Sequence, residues 1–301
     1  MNSSKDTLHR FLFENISIRG ELTQLNKSWQ SIIENHDYPP VVRDVLAQML
    51  VAGVLLAATL KFKGRITLQI QGNGMLPFVV AECSSEHAIR GLAHYNQDIK
   101  DANLKTLVGD GQLAITLETE NTGERYQSIV ELVGDSVADA IEHYLETSEQ
   151  LSTHLWLSAN NETAAGLLIQ KLPPESIDDE NFNQVQLDQD GWNRIEQLSA
   201  TIREEELLSL DAQEIIHRLY HEEDVRVFDF DPVFFRCSCS KERVASMLKN
   251  LGQEEIQAMI AEKDIISISC EFCNHPYDFD AVDAEQLFMD SVVSDTSPTQ
   301  H

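Results

Sequence analysis

The sequence predicts an α+β protein: an N-terminal, mostly antiparallel α+β domain, a helical linker and a small C-terminal four-cysteine zinc domain. Three observations predict it. Strand-like alternation recurs over about the first 175 residues around one long apolar run. Short amphipathic segments follow, each too short to hold a helix alone. Four of the five cysteines then fall between positions 237 and 273.

Taken in order, FLFENISIRGELTQL alternates as a half-buried strand should, with Phe11, Phe13, Ile16 and Ile18 as core residues. Pro39 and Pro40 open a long apolar helix through Leu60, because proline fits the first helical turn. Strands are expected at Ile66–Gln71 and Leu76–Glu82, joined by a Gly72-Asn-Gly74 turn. A similar unit spans LVGDGQLAITLETENTGERYQSIVELV, with turns at Gly109-Asp-Gly111 and Asn-Thr-Gly-Glu. SVADAIEHYLETSEQL reads as an amphipathic helix, and THLWLSAN and AAGLLIQKLP as strands. The Gly-x-Gly pairs are not phosphate loops, since neither has a following Lys-Ser/Thr or a third spaced glycine opening a helix.

Pro173 and Pro174, followed by acidic and amide residues, mark a boundary. Domains are therefore expected at 1–178, 179–229 (a metastable helical linker) and 230–290, with a disordered tail at 291–301. In the linker, WNRIEQLSATI places Ile195, Leu198 and Ile202 on one face; EEELLSL follows, then AQEIIHRLY with Asp211 as cap and Glu214 three residues on. In the last domain Ser240 caps a helix with Val244, Met247, Leu248 and Leu251 on its apolar face. Gly252 ends it, a second short helix carries Ile256, Met259 and Ile260, and IISISC is strand-like.

Charge narrows the function classes. The chain has 22 basic and 50 acidic residues, net −28. Such a charge repels phosphate backbones and anionic membranes, so neither nucleic acid nor membrane is an expected partner. Residues 176–301 hold 9 basic and 28 acidic side chains, net −19, against net −9 for residues 1–175. Self-repulsion leaves that smaller region marginal unless something ties it together. The N-terminus lacks a secretory pattern, and MLVAGVLLAATL at 49–60 reads as too short for a bilayer span. A cytoplasmic, reducing setting is expected, where clustered cysteines bind metal or sense redox state.

Cys237 and Cys239 form a C-x-C, and thirty residues later Cys270 and Cys273 form a C-x-x-C. Two close-spaced pairs separated by a small folded insert suit a tetrahedral four-thiolate site for one Zn2+. His275 is the rival ligand, though four sulfurs already complete such a site. His217 and His221 lack the Glu of H-E-x-x-H, and Cys83 reads as a half-buried strand residue. A domain of about sixty residues expects roughly 3 to 5 kcal/mol from packing, whereas structural zinc supplies on the order of 10 to 16. Oxidation could take two courses. Disulfides within each pair would close tiny loops and eject the metal without replacing its long-range crosslink, whereas crossed disulfides would keep the domain stapled. A C-x-C bridge would be strained and readily reduced.

FDPVFFRCSCSKERVASMLKNLGQEEIQAMIAEKDIISISCEFCNHPYDFD resembles the zinc domain of the heat shock protein 33 redox-regulated chaperones, or 33 kDa chaperonins. The cysteine spacing, the Leu-Gly between helices and the C-E-F-C-N knuckle carry the resemblance. SIRGELTQL, the glycine-rich hairpins and AAGLLIQKLPP support it, while GNGMLPF and AAG at 164–166 depart from the usual pattern. The resemblance implies an ATP-independent holdase, inactive while reduced and zinc-bound. It further implies that oxidants form two local disulfides, Cys237–Cys239 and Cys270–Cys273, release zinc and unfold the zinc domain and linker. By the same resemblance, the active protein is expected to bind unfolding client proteins and to favour a homodimer.

Two other classes fit less well. A zinc-ribbon adaptor or nucleic-acid-binding module with purely structural zinc wants a basic face, and here Arg236, Lys241, Arg243, Lys249 and Lys263 stand among many acids. An enzyme is not expected. A catalytic zinc keeps an open position with mixed ligands, and thioredoxin-like chemistry places its C-x-x-C at a helix start rather than after a strand.

Overall fold

A computed structural model describes residues 5–14, 16–96, 98–120, 123–173 and 190–289. Asn121 and Thr122 of the expected turn, Pro174 and the acidic stretch to 189, and the tail at 291–301 lie outside the described residues. The chain forms two compact units, Met1–Arg236 and Cys237–His301. The α+β class and the mostly antiparallel pairing are as the sequence predicts.

In the first unit, β1 (Thr7–Phe13) and β2 (Ile18–Leu25) form a hairpin. The single strand expected over this stretch is thus two. Its alternation is real, but the chain reverses after Phe13, pairing Phe13 with Ile18 and Phe11 with Gly20. All four expected core residues are buried. α1 (Lys27–Ile33) follows, then α2 (Pro40–Thr59), the central core helix. At 20 residues α2 is long enough to cross a bilayer, which corrects the length argument; 72% of its most apolar window is buried inside this protein.

Sheet construction continues with β3 (Gly64–Gln71), β4 (Phe78–Ser84) and β5 (Ala88–His94). α3 (Leu104–Val108) leads into β6 (Gln112–Thr119) and β7 (Arg125–Glu131). The glycine pairs do more than turn the chain. The amides of Gly74 and Leu76 donate to the carbonyls of Val108 and Leu107, and a Cβ on Gly72 would sit 2.2 Å from the Val108 oxygen. Only glycine lets these two backbones approach so closely. Gly109, at φ +73°, ends α3.

α4 (Val137–Tyr144) is held by a capping box between Ser136 and Asp139 and continues through a π turn, Leu145–Glu149. β8 (Thr153–Ala159) and β9 (Ala164–Lys171) close the first sheet. α5 (Gly191–Ser199), α6 (Glu204–Ser209) and α7 (Ala212–Tyr220) then pack on that sheet's outer face. Phe11, Phe13, Ile18, Leu22, Leu167 and Ile169 from the strands meet Ile195, Leu207, Ile215, Ile216, Leu219 and Tyr220 from the helices. Gln24 seals the contact, its amide donating to the carbonyls of Leu207 (2.9 Å) and Leu210 (2.8 Å).

β10 (Val225–Val227), β11 (Asp231–Pro232) and β12 (Phe234–Phe235) form a strap that sequence reading missed. The first two pair with β1, and the third pairs parallel to β5. The sheets therefore run β10-β1-β2-β9-β8, with β11 also on β1, and β12-β5-β4-β3-β6-β7. These strands are only two or three residues long, too short for any periodicity to register.

The second unit holds α8 (Lys241–Leu251), α9 (Gln253–Lys263), a hairpin of β13 (Ile266–Ser269) and β14 (Pro276–Phe279), and α10 (Ala281–Met289). Ser240 accepts from the amide of Arg243 and caps α8 as expected. The buried core is Leu248, Ile256, Ile266, Phe279, Ala284 and Leu287. Met247 and Leu251, expected on the apolar face, stay about half exposed because so small a core cannot cover a full helix face.

Candidate metal centre

Two local devices aim the cysteines. Cys270 and Cys273 lie in the connection between β13 and β14, where the Cys270 amide donates to the His275 carbonyl and the Asn274 amide to the Cys270 carbonyl. Asn274 takes φ +57°, which asparagine tolerates and which curls the turn back on itself. On the other side, Arg243 of α8 donates to both the carbonyl (2.7 Å) and hydroxyl (2.8 Å) of Ser238. That fixes the bend between Cys237 and Cys239.

The four sulfurs converge within 4.8 Å of one another, all half-buried. Cys237 Sγ lies 3.6 Å from Cys270 Sγ, and Cys239 Sγ lies 3.4 Å from Cys273 Sγ. A tetrahedral zinc with Zn–S bonds of about 2.3 Å separates its sulfurs by about 3.8 Å. Both the spacing and the all-thiolate chemistry fit such an ion, and no fifth ligand is needed.

Tyr277 was not foreseen. Its hydroxyl lies 3.1 Å from Cys239 Sγ and donates to it. Burial pushes the Cys239 thiol up, but the Tyr277 hydrogen bond and the neighbouring thiols outweigh it and bring it to about 7. Cys237 is raised, mainly by burial, and Cys273 is raised by burial and by the other sulfurs. Neighbouring thiolates repel one another, and a bound dication would remove that restraint. Nothing in the local sequence marks Tyr277 for this role, because the contact forms only when the β13–β14 hairpin brings its hydroxyl to Cys239.

His275 contributes its backbone carbonyl and stacks edge-on against Tyr277, and it is not among the grouped ligand atoms. His217 and His221 stack on each other at 5.8 Å. Cys83 lies in β4 facing α2, fully buried rather than half-buried, and burial pushes its thiol up to about 12.

Fold and site together define a two-unit α+β protein whose smaller unit is organised around four converging thiols. The Hsp33 protein family model matches residues 6–280. A 33 kDa chaperonin from Nitrosococcus oceani is 44% identical over 299 residues, covering 99% of this chain and 100% of the relative. One from Shewanella loihica is 44% identical over 294 residues, covering 97% and 99%. The crystal structure of a 33 kDa chaperonin from Thermotoga maritima superposes with a TM-score of 0.80 at 21% identity, covering 96% of this chain and 100% of that one. The chain belongs to the Hsp33 family of chaperones.

Proposed function

We propose that this protein is a redox-regulated, ATP-independent holdase of the cytoplasm whose switch is the four-cysteine cluster. The observation that carries the reading is the convergence of Cys237, Cys239, Cys270 and Cys273 within 4.8 Å in a unit with six buried core residues among those described. One Zn2+ held by these thiolates ties two chain segments across thirty residues. Oxidation to Cys237–Cys239 and Cys270–Cys273 disulfides takes two electrons from each pair. One hypochlorous acid per pair accepts them, takes up a proton from solvent and leaves as chloride and water, while the four sulfurs, no longer thiolates, would let the metal go. What remains are two small rings and no long-range crosslink.

The linker completes the device. α5, α6 and α7 cover the apolar face formed by Phe11, Phe13, Ile18, Leu22, Leu167 and Ile169. Their release would present that face, and their own, to unfolding client proteins, with homodimers forming in the oxidised state. The net charge of −28 keeps such a surface dispersed and argues against nucleic acid or membrane as partner. The test pairs two readouts on reduced, zinc-loaded protein treated with hypochlorite: zinc release and suppression of client aggregation. Both should rise together. Zinc loss without activity, or full activity in the zinc-bound form, overturns the reading.

A further inference from the structure

Most of the docking of α5–α7 on the first sheet is apolar, but His154 is an exception. It sits on β8, on the face that receives the linker, between two carboxylates from different elements. Its Nδ1 lies 3.4 Å from Glu142 Oε2 on α4, and its Nε2 lies 3.3 Å from Glu196 Oε1 on α5. The ring stacks on Trp192 of α5, with centroids 5.6 Å apart and planes 20° apart, and Trp156 flanks it at 6.1 Å. Glu142 is itself held, accepting from the Leu155 amide at 2.6 Å.

We propose that His154 is a proton-operated clasp that fastens α5 to the first sheet. The reason is the donor inventory of imidazole. Protonated, it donates from both nitrogens and satisfies both carboxylates at once; neutral, it carries one proton, so one carboxylate must face a lone pair. The imidazolium also gains from the Trp192 face it lies against. Glu142 and Glu146 face the ring from α4 and its π turn, and Glu196 faces it from α5.

The direction of titration agrees. The hydrogen bond to Glu142 raises the His154 pKa above the ordinary histidine value; burial opposes this, and the charges of Glu142, Glu196 and Glu146 reinforce it. The clasp is therefore fully closed below the ordinary histidine range and opens as pH rises through the raised value. Its regulatory meaning, that mild alkalinity lowers the oxidant needed for activation, rests on the redox reading above. The clasp itself does not.

The test uses reduced, zinc-loaded, full-length protein. Hydrogen exchange of the segment 191–202 is followed from pH 6 to 9 with the intrinsic rate divided out, and the His154 ring is titrated by NMR. Protection of α5 should fall about two- to fivefold across the titration, the range a partly exposed ion pair supports. His154→Gln should abolish that pH dependence and sit at the high-pH level, and Glu196→Gln should lower the His154 midpoint, with α2 unchanged in both. A midpoint at or below the ordinary histidine value, or an unaltered pH profile in His154→Gln, overturns the clasp. If oxidant fails to activate the protein while this pH profile stands, the redox reading fails and the clasp survives.

Discussion

The two units solve stability in opposite ways. Among the described residues the main core of the first unit gathers forty-one buried apolar side chains around α2, whereas the second unit buries six. A core of the first kind is maintained by many small contacts, no one of which decides the outcome. The second unit is also part of the region that carries the denser negative charge, and its four cysteine sulfurs converge where one metal ion could crosslink it. The contrast means that any change confined to the four-cysteine cluster should fall on the second unit and leave the core around α2 standing.

The largest effect expected is loss of that crosslink. Cys270→Ser, or chelation of the wild type, removes on the order of 10 kcal/mol from a unit whose packing supplies about 3 to 5. Hydrogen exchange should show α8, α9 and the β13–β14 hairpin losing protection while α2 keeps it. Equal loss in both units would erase the distinction.

A matched pair of cuts sharpens it. Leu46 and Leu248 are both fully buried, one in each unit, and each Leu→Ala change costs about 2 to 5 kcal/mol. Leu248→Ala should weaken zinc retention, measured by competition with a chelating dye, and Leu46→Ala should leave it untouched. Between the two regimes stands the linker. Ile215→Ala, of similar cost, should loosen α5–α7 with zinc still bound and give partial anti-aggregation activity without oxidant.

Proton concentration should move the units in opposite directions. Burial raises the Glu21 carboxyl from 4.5 to about 7, with Arg19 and Arg10 only partly offsetting it. A raised acid favours the folded state most at low pH, so its contribution is present below about 4.5 and lost as pH climbs through 7. Glu21→Gln should flatten that slope, worth about 3 kcal/mol, in melting curves of the first unit. Zinc binding runs the other way, because protons compete for the thiolates as pH falls.

Much of this contrast was legible in the chain. The spacing of Cys237, Cys239, Cys270 and Cys273 is local and chemical, so the convergence of the four cysteines could be read directly, as could α7 from Asp211 and Glu214. The strap was not legible. Its strands owe their conformation to partners some 140 residues or more away in the chain, Phe234 pairing with Ala88 and Val227 with Phe11. Tyr277 escaped for a related reason: its partner is only 38 residues away, but its role appears only when the hairpin aims its hydroxyl at Cys239. The smallest effect concerns Cys83. With its thiol pushed up to about 12 and fully buried, it should resist iodoacetamide after chelation while the other four cysteines react.

One measurement bears most directly on the switch: hydrogen exchange on hypochlorite-treated protein, with disulfides mapped by mass spectrometry in the same sample. Protection should vanish over α8–α10 and over α5–α7 and persist in α2, with Cys237 joined to Cys239 and Cys270 to Cys273. Crossed bridges, such as Cys237 to Cys270, with the second unit still protected, would contradict it.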